Sequence, residues 1–426
     1  MKMLLLNQAF YPDVASTAQH LSDLAVALAE RGHEVRVMCS CRNYDDPNVQ
    51  HPRFETWHAV KIRRIYSCGF GKSARWRRYA DFGSYLVNCF RHLIALPQFD
   101  VVIAMTSPPL ISFLGALFAW LKGGKFVFWV MDLNPDEGLA AGWIRPGSGV
   151  TRCLQWMLQY SLIQADLIVT LDKFMAQRVQ AKQIQVDKIA ILPPWSHDRF
   201  VRYSIEGREL FRKEHQLDDK FIVMYSGNHS PCHPLTTLLA AARRLAANPG
   251  VAFCFVGGGT EFEKVRAYRS KYCLKNVIML RYQPLDKLSA SLSAADLHVV
   301  VMGDPFVGIV HTCKVYNIRT LGMPYLYIGP PVSHVAELNP NYSARHGDVD
   351  LVVYHVLSAA ESCPSRIRPP LDAREHNQDH LIDKMILMLE STVCEGVNGH
   401  AKFPQPQSRR AGEKWRKTSE SEAQIE

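Results

Sequence analysis

The sequence predicts an α/β protein of two doubly wound domains, and three observations carry that expectation. The chain has 426 residues, more than the roughly 250–300 over which a single core usually holds together. Short apolar runs alternate with helical patterns through both halves, as in parallel sheets covered by helices on both faces. Between the halves, Pro193-Pro194-Trp195 and the polar stretch 196–202 mark a hinge, placing the end of the first domain near His197.

The elements follow in order. Residues 2–6 form a first strand, and Ala18, Leu21, Leu24, Ala25 and Leu28 then recur at helical spacing with Gly32 at the capping place. Residues 34–39 return as a second strand, and further strands are expected over 101–105, 125–130, 166–170 and 189–192. The second half repeats the scheme over 221–226, 252–256, 277–280, 297–301 and 325–328. The domains so drawn are 1–197 and 198–360. A C-terminal segment over 361–396 carries one helix, 379–389, and a polar tail over 397–426 reads as disordered.

The composition, 47% hydrophobic and 21% charged, excludes collagen-like, repeat-array and extensively disordered classes. Eleven cysteines lack the regular spacing of a disulfide-stapled secreted domain, and the chain opens on a strand rather than a signal peptide, so a reducing cytoplasm is expected. The apolar stretch 110–121 is shorter than the ~20 residues of a membrane span. The formal charge of +9 gathers partly over 61–78 and 409–417. There Lys72, Arg75, Arg77 and Arg78 surround Trp76, ahead of a stripe of Phe82, Leu86, Phe90, Leu93 and Ile94. That pattern suits peripheral association with anionic membrane, or a core-packed helix with a solvated basic face. Nucleic acid is not an expected partner, because no recognised binding module appears.

Ligands of open parallel sheets gather beyond the carboxyl ends of the strands. After the first strand, Tyr11 and Asp13 lead to Ser16 and Thr17, which either cap a helix or leave its amides for an anion. Asp132-Leu133-Asn134-Pro135-Asp136-Glu137 is the main acidic cluster. Asp132 is the favoured functional carboxylate, while Asp136 and Glu137 also read as a first helical turn. The loop 225–234 offers Gly227, Asn228, His229 and His233 to wrap a diphosphate. His229, Cys232, His233, His311 and Cys313 match no standard zinc spacing, so no metal or other cofactor is expected. Gly257, Gly258 and Gly259 run from a strand into a helix and let a phosphate or ribose approach the backbone. Lys314 stands near a helix start, where a cation is disfavoured unless an anion compensates.

In this order, Phe10-Tyr11-Pro12-Asp13, Gly32-His33-Glu34-Val35, Tyr225-Ser226-Gly227-Asn228, Val256-Gly257-Gly258-Gly259, Ala295-Asp296 and Lys314-Val315-Tyr316 with Gly322-Met323-Pro324 resemble the family 4 glycosyltransferases of the GT-B fold. The resemblance is greatest to the branch that builds bacterial exopolysaccharide and lipopolysaccharide, and it spans about residues 1–395. It implies transfer, with retention and without a metal, from a nucleotide-sugar donor to a glycan or polyprenyl-linked acceptor. The donor's base and ribose would lie around Gly257, Gly258, Arg281 and Tyr282, its diphosphate near Gly227, Gly308 and Lys314, and the acceptor against the first domain at Tyr11, Asp13, Ser16 and Thr17. Asp132, Lys314 and His229 are the candidate catalytic residues. Gly227, Asn228, His233, Gly257, Gly258, Gly259, Arg281, Tyr282, Gly308, Ile309 and Asn317 are the candidate donor contacts. The chain departs from the family pattern where two glutamates are replaced by Ile309 and Asn317, and an Arg and a Lys by Asn228 and His233. Protonated His229 or His233 would then supply part of the missing positive charge. The alternatives are a nucleotide-sugar 2-epimerase and a non-catalytic partner subunit of the same fold.

Overall fold

The computed structural model describes residues 1–13, 15–43, 46, 48–71, 75–195, 201–362 and 377–394, with the backbone alone at 75 and 285. The first layered unit runs β1 (Lys2–Leu6), α1 (Ser16–Glu30), β2 (Glu34–Ser40), β3 (Phe54–Trp57), β4 (Val60–Ile65), α2 (Arg75–Ile94), β5 (Val101–Ala104), α3 (Ile111–Lys122), β6 (Lys125–Trp129), α4 (Asp136–Ala140), α5 (Gly149–Gln164), β7 (Leu167–Thr170), α6 (Lys173–Gln180) and β8 (Ile189–Ile191). The second runs α7 (Ile205–Glu214), β9 (Phe221–Asn228), α8 (Thr236–Arg244), β10 (Val251–Gly258), α9 (Thr260–Lys271), β11 (Val277–Leu280), α10 (Leu288–Ser293), β12 (Leu297–Val301), α11 (Lys314–Thr320), β13 (Tyr325–Ile328), α12 (His334–Glu337), β14 (Tyr342–Ala344) and α13 (Val349–Glu361). A last helix, α14, spans Gln378–Cys394.

The strands form two sheets, ordered β3-β4-β2-β1-β5-β6-β7-β8 and β11-β10-β9-β12-β13-β14. Only β3 pairs antiparallel, with β4; the other registers are parallel. Helices cover both faces, so central strands such as β5, β7 and β12 are buried along their whole length. That two-sided burial is why they appear in the sequence as unbroken apolar runs. In each sheet the strand order reverses beside its first strand, between β1 and β5 and between β9 and β12, and each reversal opens a crevice beyond the strand ends.

The eleven expected strands form within two residues of their expected bounds. Neither the β3–β4 hairpin nor β14 was among the expected strands. The hairpin turns at His58 and Ala59, both at positive φ (47 and 62°), as a two-residue turn of this hand requires, but without the Asn-Gly or Asp-Gly that usually announces it. β14 is three residues long. The expected stripe on α2 is also corrected. Tyr85, Cys89 and Leu93 face the core, whereas Phe90 and Ile94 are exposed.

α14 turns back to the first unit. Leu381, Ile382, Met385, Ile386 and Leu389, at helical spacing, join the core under the first sheet. An Arg31–Asp383 ion pair and a His33 Nε2–Glu390 Oε1 contact of 3.2 Å flank them. Asp296 at the start of β12 is clamped by Arg208 and Arg212 and accepts the Ile222 amide at 2.7 Å, so the Ala295-Asp296 pair anchors α7 to the second sheet. The hinge expected at His197, most of the segment 361–376 and the tail 397–426 lie outside the described residues. Among the described residues no helix is long and apolar enough to cross a membrane, and none of the ten described cysteines is in a disulfide.

Candidate active site

The crevice of the second sheet is built from the ends of β9 and β10, which pair through Gly227↔Gly257 and Asn228↔Gly258. Gly257 sits at φ +134°, and a Cβ there would come within 2.1 Å of the Gly227 carbonyl oxygen, so only glycine lets the two loops approach this closely. The His229 amide donates to the Gly258 carbonyl at 2.8 Å, and the Glu261 amide donates to the His229 carbonyl at 2.9 Å. Tyr282 lies over Gly258 and donates its hydroxyl to the Gly258 carbonyl at 3.3 Å. Three segments distant in sequence thereby form one rigid surface beside Gly227.

Lys314 enters this surface from α11. Its Nζ stands 3.7 Å from the centroid of the Tyr225 ring and 3.3 Å from where a Cβ on Gly227 would be. It is buried and has no hydrogen-bond partner among the described residues. Burial pulls its pKa from 10.5 down to about 7, as expected for an ammonium taken out of water without a counter-ion. His229 and His233 face the same lysine. Burial, with the Lys314 charge, drives both imidazoles down to about 3. The expectation that they supply positive charge is therefore corrected: at neutral pH both are uncharged. His233 Nδ1 meets the Val301 carbonyl at 2.7 Å, and His229 Nδ1 meets the Gly227 carbonyl at 2.9 Å. His229 Nε2 is buried without a hydrogen-bond partner among the described residues.

The first unit closes over this surface. Asp132 forms an antiparallel bridge with Val310, and the Leu133 amide donates to the Ile309 carbonyl at 2.8 Å. Burial and the neighbouring Glu137 raise the Asp132 carboxyl to about 8, against the pull of Arg78. Glu137 is raised as well, chiefly by burial, and its Oε1 accepts from the Cys232 thiol at 3.7 Å. Two carboxyls with raised pKa values, beside one another in a cleft, are suited to hold a proton near neutral pH. Helix α1 begins beside them. Its N-cap is Ala15, with no side-chain cap, so neither Ser16 nor Thr17 caps it, and the Ser16 hydroxyl instead reaches the Cys313 thiol next to Lys314.

A second cluster joins the units. Asp172 Oδ2 accepts from His311 Nδ1 at 2.7 Å, and His311 Nε2 meets the Tyr316 hydroxyl at 2.7 Å. His334 stacks on His311 with centroids 3.9 Å apart and accepts the Thr312 amide on Nε2 at 3.0 Å. Asp172, His311 and His334 offer three ligand atoms within 4.8 Å. The rings, however, are nearly parallel, at 17°, so their lone pairs do not converge on one ion, and Asp172 is already committed to His311. The hydrogen bonds hold Asp172 down at about 2 despite its burial. The cluster works as a joint, alongside Arg178 Nε donating to the Val307 carbonyl at 2.6 Å and a Lys173–Glu337 ion pair.

Of the residues singled out in the sequence, Gly227, Asn228, His229, His233, Gly257, Gly258, Gly259, Tyr282 and Lys314 assemble on one surface, with Asp132 and Ser16 across from it. Ile309 does not line that surface: its side chain is buried in the core of the first unit. Gly308 serves inter-unit packing, for at φ +70° a Cβ would meet the Phe174 carbonyl oxygen at 2.5 Å. Arg281 is exposed at the end of β11. Asn317 lies on α11 with its side chain engaged. Tyr11 stacks on Trp57 at 4.1 Å, and Asp13 is buried and partnered. Sequence reasoning did not find Asp172 or His334, because each acquires its role only when loops from both units meet.

Two facing α/β units with a cleft at their strand ends define the GT-B class of glycosyltransferases. The fold is shared with Anabaena HepE, solved with UDP and glucose (TM-score 0.68, 13% identity, covering 92% of this chain and 100% of that one). It is also shared with sucrose-phosphate synthase from Thermosynechococcus elongatus (TM-score 0.71, 14% identity, 92% and 99% covered). A glycosyl transferase 4-like domain matches residues 17–195, and a glycosyl transferases group 1 domain matches residues 207–311. The chain therefore belongs to the family 4 glycosyltransferases and is a transferase. Among its relatives is WcaI of Escherichia coli (strain K12), named as a candidate colanic acid biosynthesis glycosyl transferase. It is 26% identical over 338 residues, which are 76% of this chain and 82% of that protein.

Proposed function

We propose that this transferase moves a sugar, with retention, from a nucleoside diphosphate sugar to a glycan or polyprenyl-linked saccharide in the assembly of a surface polysaccharide. The observation that carries the donor reading is Lys314, a buried ammonium without a hydrogen-bond partner among the described residues, set against the glycine surface of β9 and β10. A diphosphate placed there supplies the missing counter-charge and restores the lysine's proton. UDP and glucose bound to the HepE fold and the name of the E. coli relative support donor class and pathway.

In the step proposed, the bond from the sugar C1 to the leaving phosphate oxygen breaks and a bond from C1 to the acceptor oxygen forms. The acceptor's proton passes to the departing diphosphate. Lys314 and the Gly227 backbone stabilise the charge that develops on that group. Asp132, protonated at neutral pH, orients a sugar hydroxyl from the opposite side. His229 acts as a neutral hydrogen-bonding group through its free Nε2.

Thermal stabilisation by a panel of UDP-, GDP-, dTDP- and CMP-sugars tests the donor reading, because a ligand of the native state alone raises apparent stability. One donor should stabilise the wild type and lose that effect in Lys314→Ala; no shift with any of them would reject the reading. Retention is checked by NMR of the product anomer.

We also propose that α2 rests on anionic membrane. Trp76, Tyr79, Val87, Phe90 and Ile94 are exposed along it, with Arg77 and Arg91 beside them, an arrangement suited to an interfacial helix. Lys72 lies outside the described residues. Co-sedimentation with phosphatidylglycerol vesicles should drop in a Trp76→Ser, Phe90→Ser double variant; unchanged binding would remove this part of the proposal.

A further inference from the structure

Beyond the carboxyl ends of β1, β2 and β4, against α2, lies a small polar cleft, part of it open to solvent. Gln8, Ser40 and Ser67 line it, with Arg42, Arg78 and Phe82.

The donors and acceptors of this cleft are unevenly used. Gln8 is 9% exposed, and its Oε1 is buried without a hydrogen-bond donor among the described residues, an arrangement that costs stability unless something fills it. The Ser40 and Ser67 hydroxyls meet at 3.1 Å. Arg42 is fixed in place, its Nε donating to the Ser67 carbonyl at 3.0 Å while its side chain lies on Gly69, where a Cβ would come within 2.4 Å of it. Arg78 has its Cζ 5.3 Å from the Phe82 centroid and no ion-pair or hydrogen-bond partner among the described residues. The acid of the cleft, Asp81, is turned to other use: its two oxygens accept the Phe70 and Gly71 amides at 2.8 and 2.9 Å. The Arg78 charge also acts on Asp132 and Glu137, so the cleft adjoins the carboxyl pair of the candidate active site.

We propose that this cleft is the acceptor subsite and takes a hydroxylated ligand bearing an oxyanion, with the anion on the Arg78 and Arg42 side and a hydroxyl donating to Gln8 Oε1. The proposal rests on the transferase reading above, to which it adds the chemical class of the acceptor. A planar guanidinium recognises carboxylate and phosphate alike. The anion therefore comes either from an acidic sugar or from a phosphorylated saccharide.

The full chain is titrated with glucuronic acid, glucose 6-phosphate and neutral glucose by ligand-observed NMR, with and without UDP. An anionic probe should bind at least about tenfold more tightly than glucose. Arg78→Met and Gln8→Leu should remove that preference, and Arg78→Lys should retain part of it. A preference for glucuronic acid assigns the acidic sugar, and one for glucose 6-phosphate assigns the phosphorylated saccharide. Lys314→Met separates this site from the donor site: it should weaken UDP binding roughly 10- to 150-fold and leave the affinity for the anionic probe unchanged. Retained probe binding in a wild type that binds no nucleotide would reject the donor reading and keep this one. Equal affinity for neutral and anionic probes, or affinities within twofold of wild type in both Arg78→Met and Gln8→Leu, would overturn the acceptor assignment.

Discussion

Replacing Lys314 with methionine should make the free protein more stable while weakening nucleotide binding. The fall of its pKa from 10.5 to about 7 corresponds, at about 1.36 kcal/mol for each unit, to ~5 kcal/mol of disfavoured charge. The Tyr225 ring, 3.7 Å away, gives back up to ~2 kcal/mol through its quadrupole. Methionine keeps the stem's volume without the charge, so we expect a net gain of about 2 kcal/mol after local relaxation, or a Tm rise of roughly 4–8 °C. The pH dependence follows from linkage. A depressed lysine pKa weakens folding fully below about pH 7, and the penalty fades as pH rises toward 10.5. The variant's advantage in a thermal melt should therefore be full at pH 6–7 and nearly gone at pH 10. A hydrogen bond to a charged group contributes ~1.5–3 kcal/mol, so Kd for the nucleoside diphosphate should weaken roughly 10- to 150-fold. A lower Tm at pH 7, together with a Kd within twofold of wild type, would refute the reasoning.

Other substitutions probe the opposite face and the joint. Asp132→Asn should raise Tm more at pH 8.5 than at pH 5, because a carboxyl raised to about 8 weakens folding increasingly as pH climbs from about 4; transfer should slow by roughly tenfold, because the amide does not reproduce the acid's hydrogen bond to the sugar hydroxyl. Asp172→Ala removes the buried partner of His311 and the cap of α6, which should cost ~3–5 kcal/mol near neutral pH. That difference should shrink in melts as pH falls from about 4 toward 2, where the wild-type carboxyl begins to take up its own proton. Gly308→Ala should hold the units apart, since its Cβ meets the Phe174 carbonyl, and small-angle scattering should show a larger radius of gyration with a raised donor KM.

The fold was legible wherever burial was two-sided. Runs such as 101–105 and 297–301 lie inside parallel sheets, so apolar character alone located them. The β3–β4 hairpin was illegible because its basic, one-sided strands (Val60–Ile65 has two arginines and a lysine) turn through His58 and Ala59 without a glycine. The candidate site was legible by local logic on the glycine loops and Lys314, each a strand-end or helix-start feature. The charge state of His229 and His233 was not, because it depends on burial and on a lysine some eighty residues away. Nor was the fate of Ile309, whose apolar side chain serves the core of the facing unit rather than the donor surface.

The most direct test is a crystal structure of the chain with the nucleoside diphosphate that stabilises it. Lys314 Nζ should stand within about 3 Å of a phosphate oxygen, with Gly227 and the glycines of β10 against the same diphosphate. A diphosphate bound elsewhere, with Lys314 still resting on Tyr225, would contradict the donor reading.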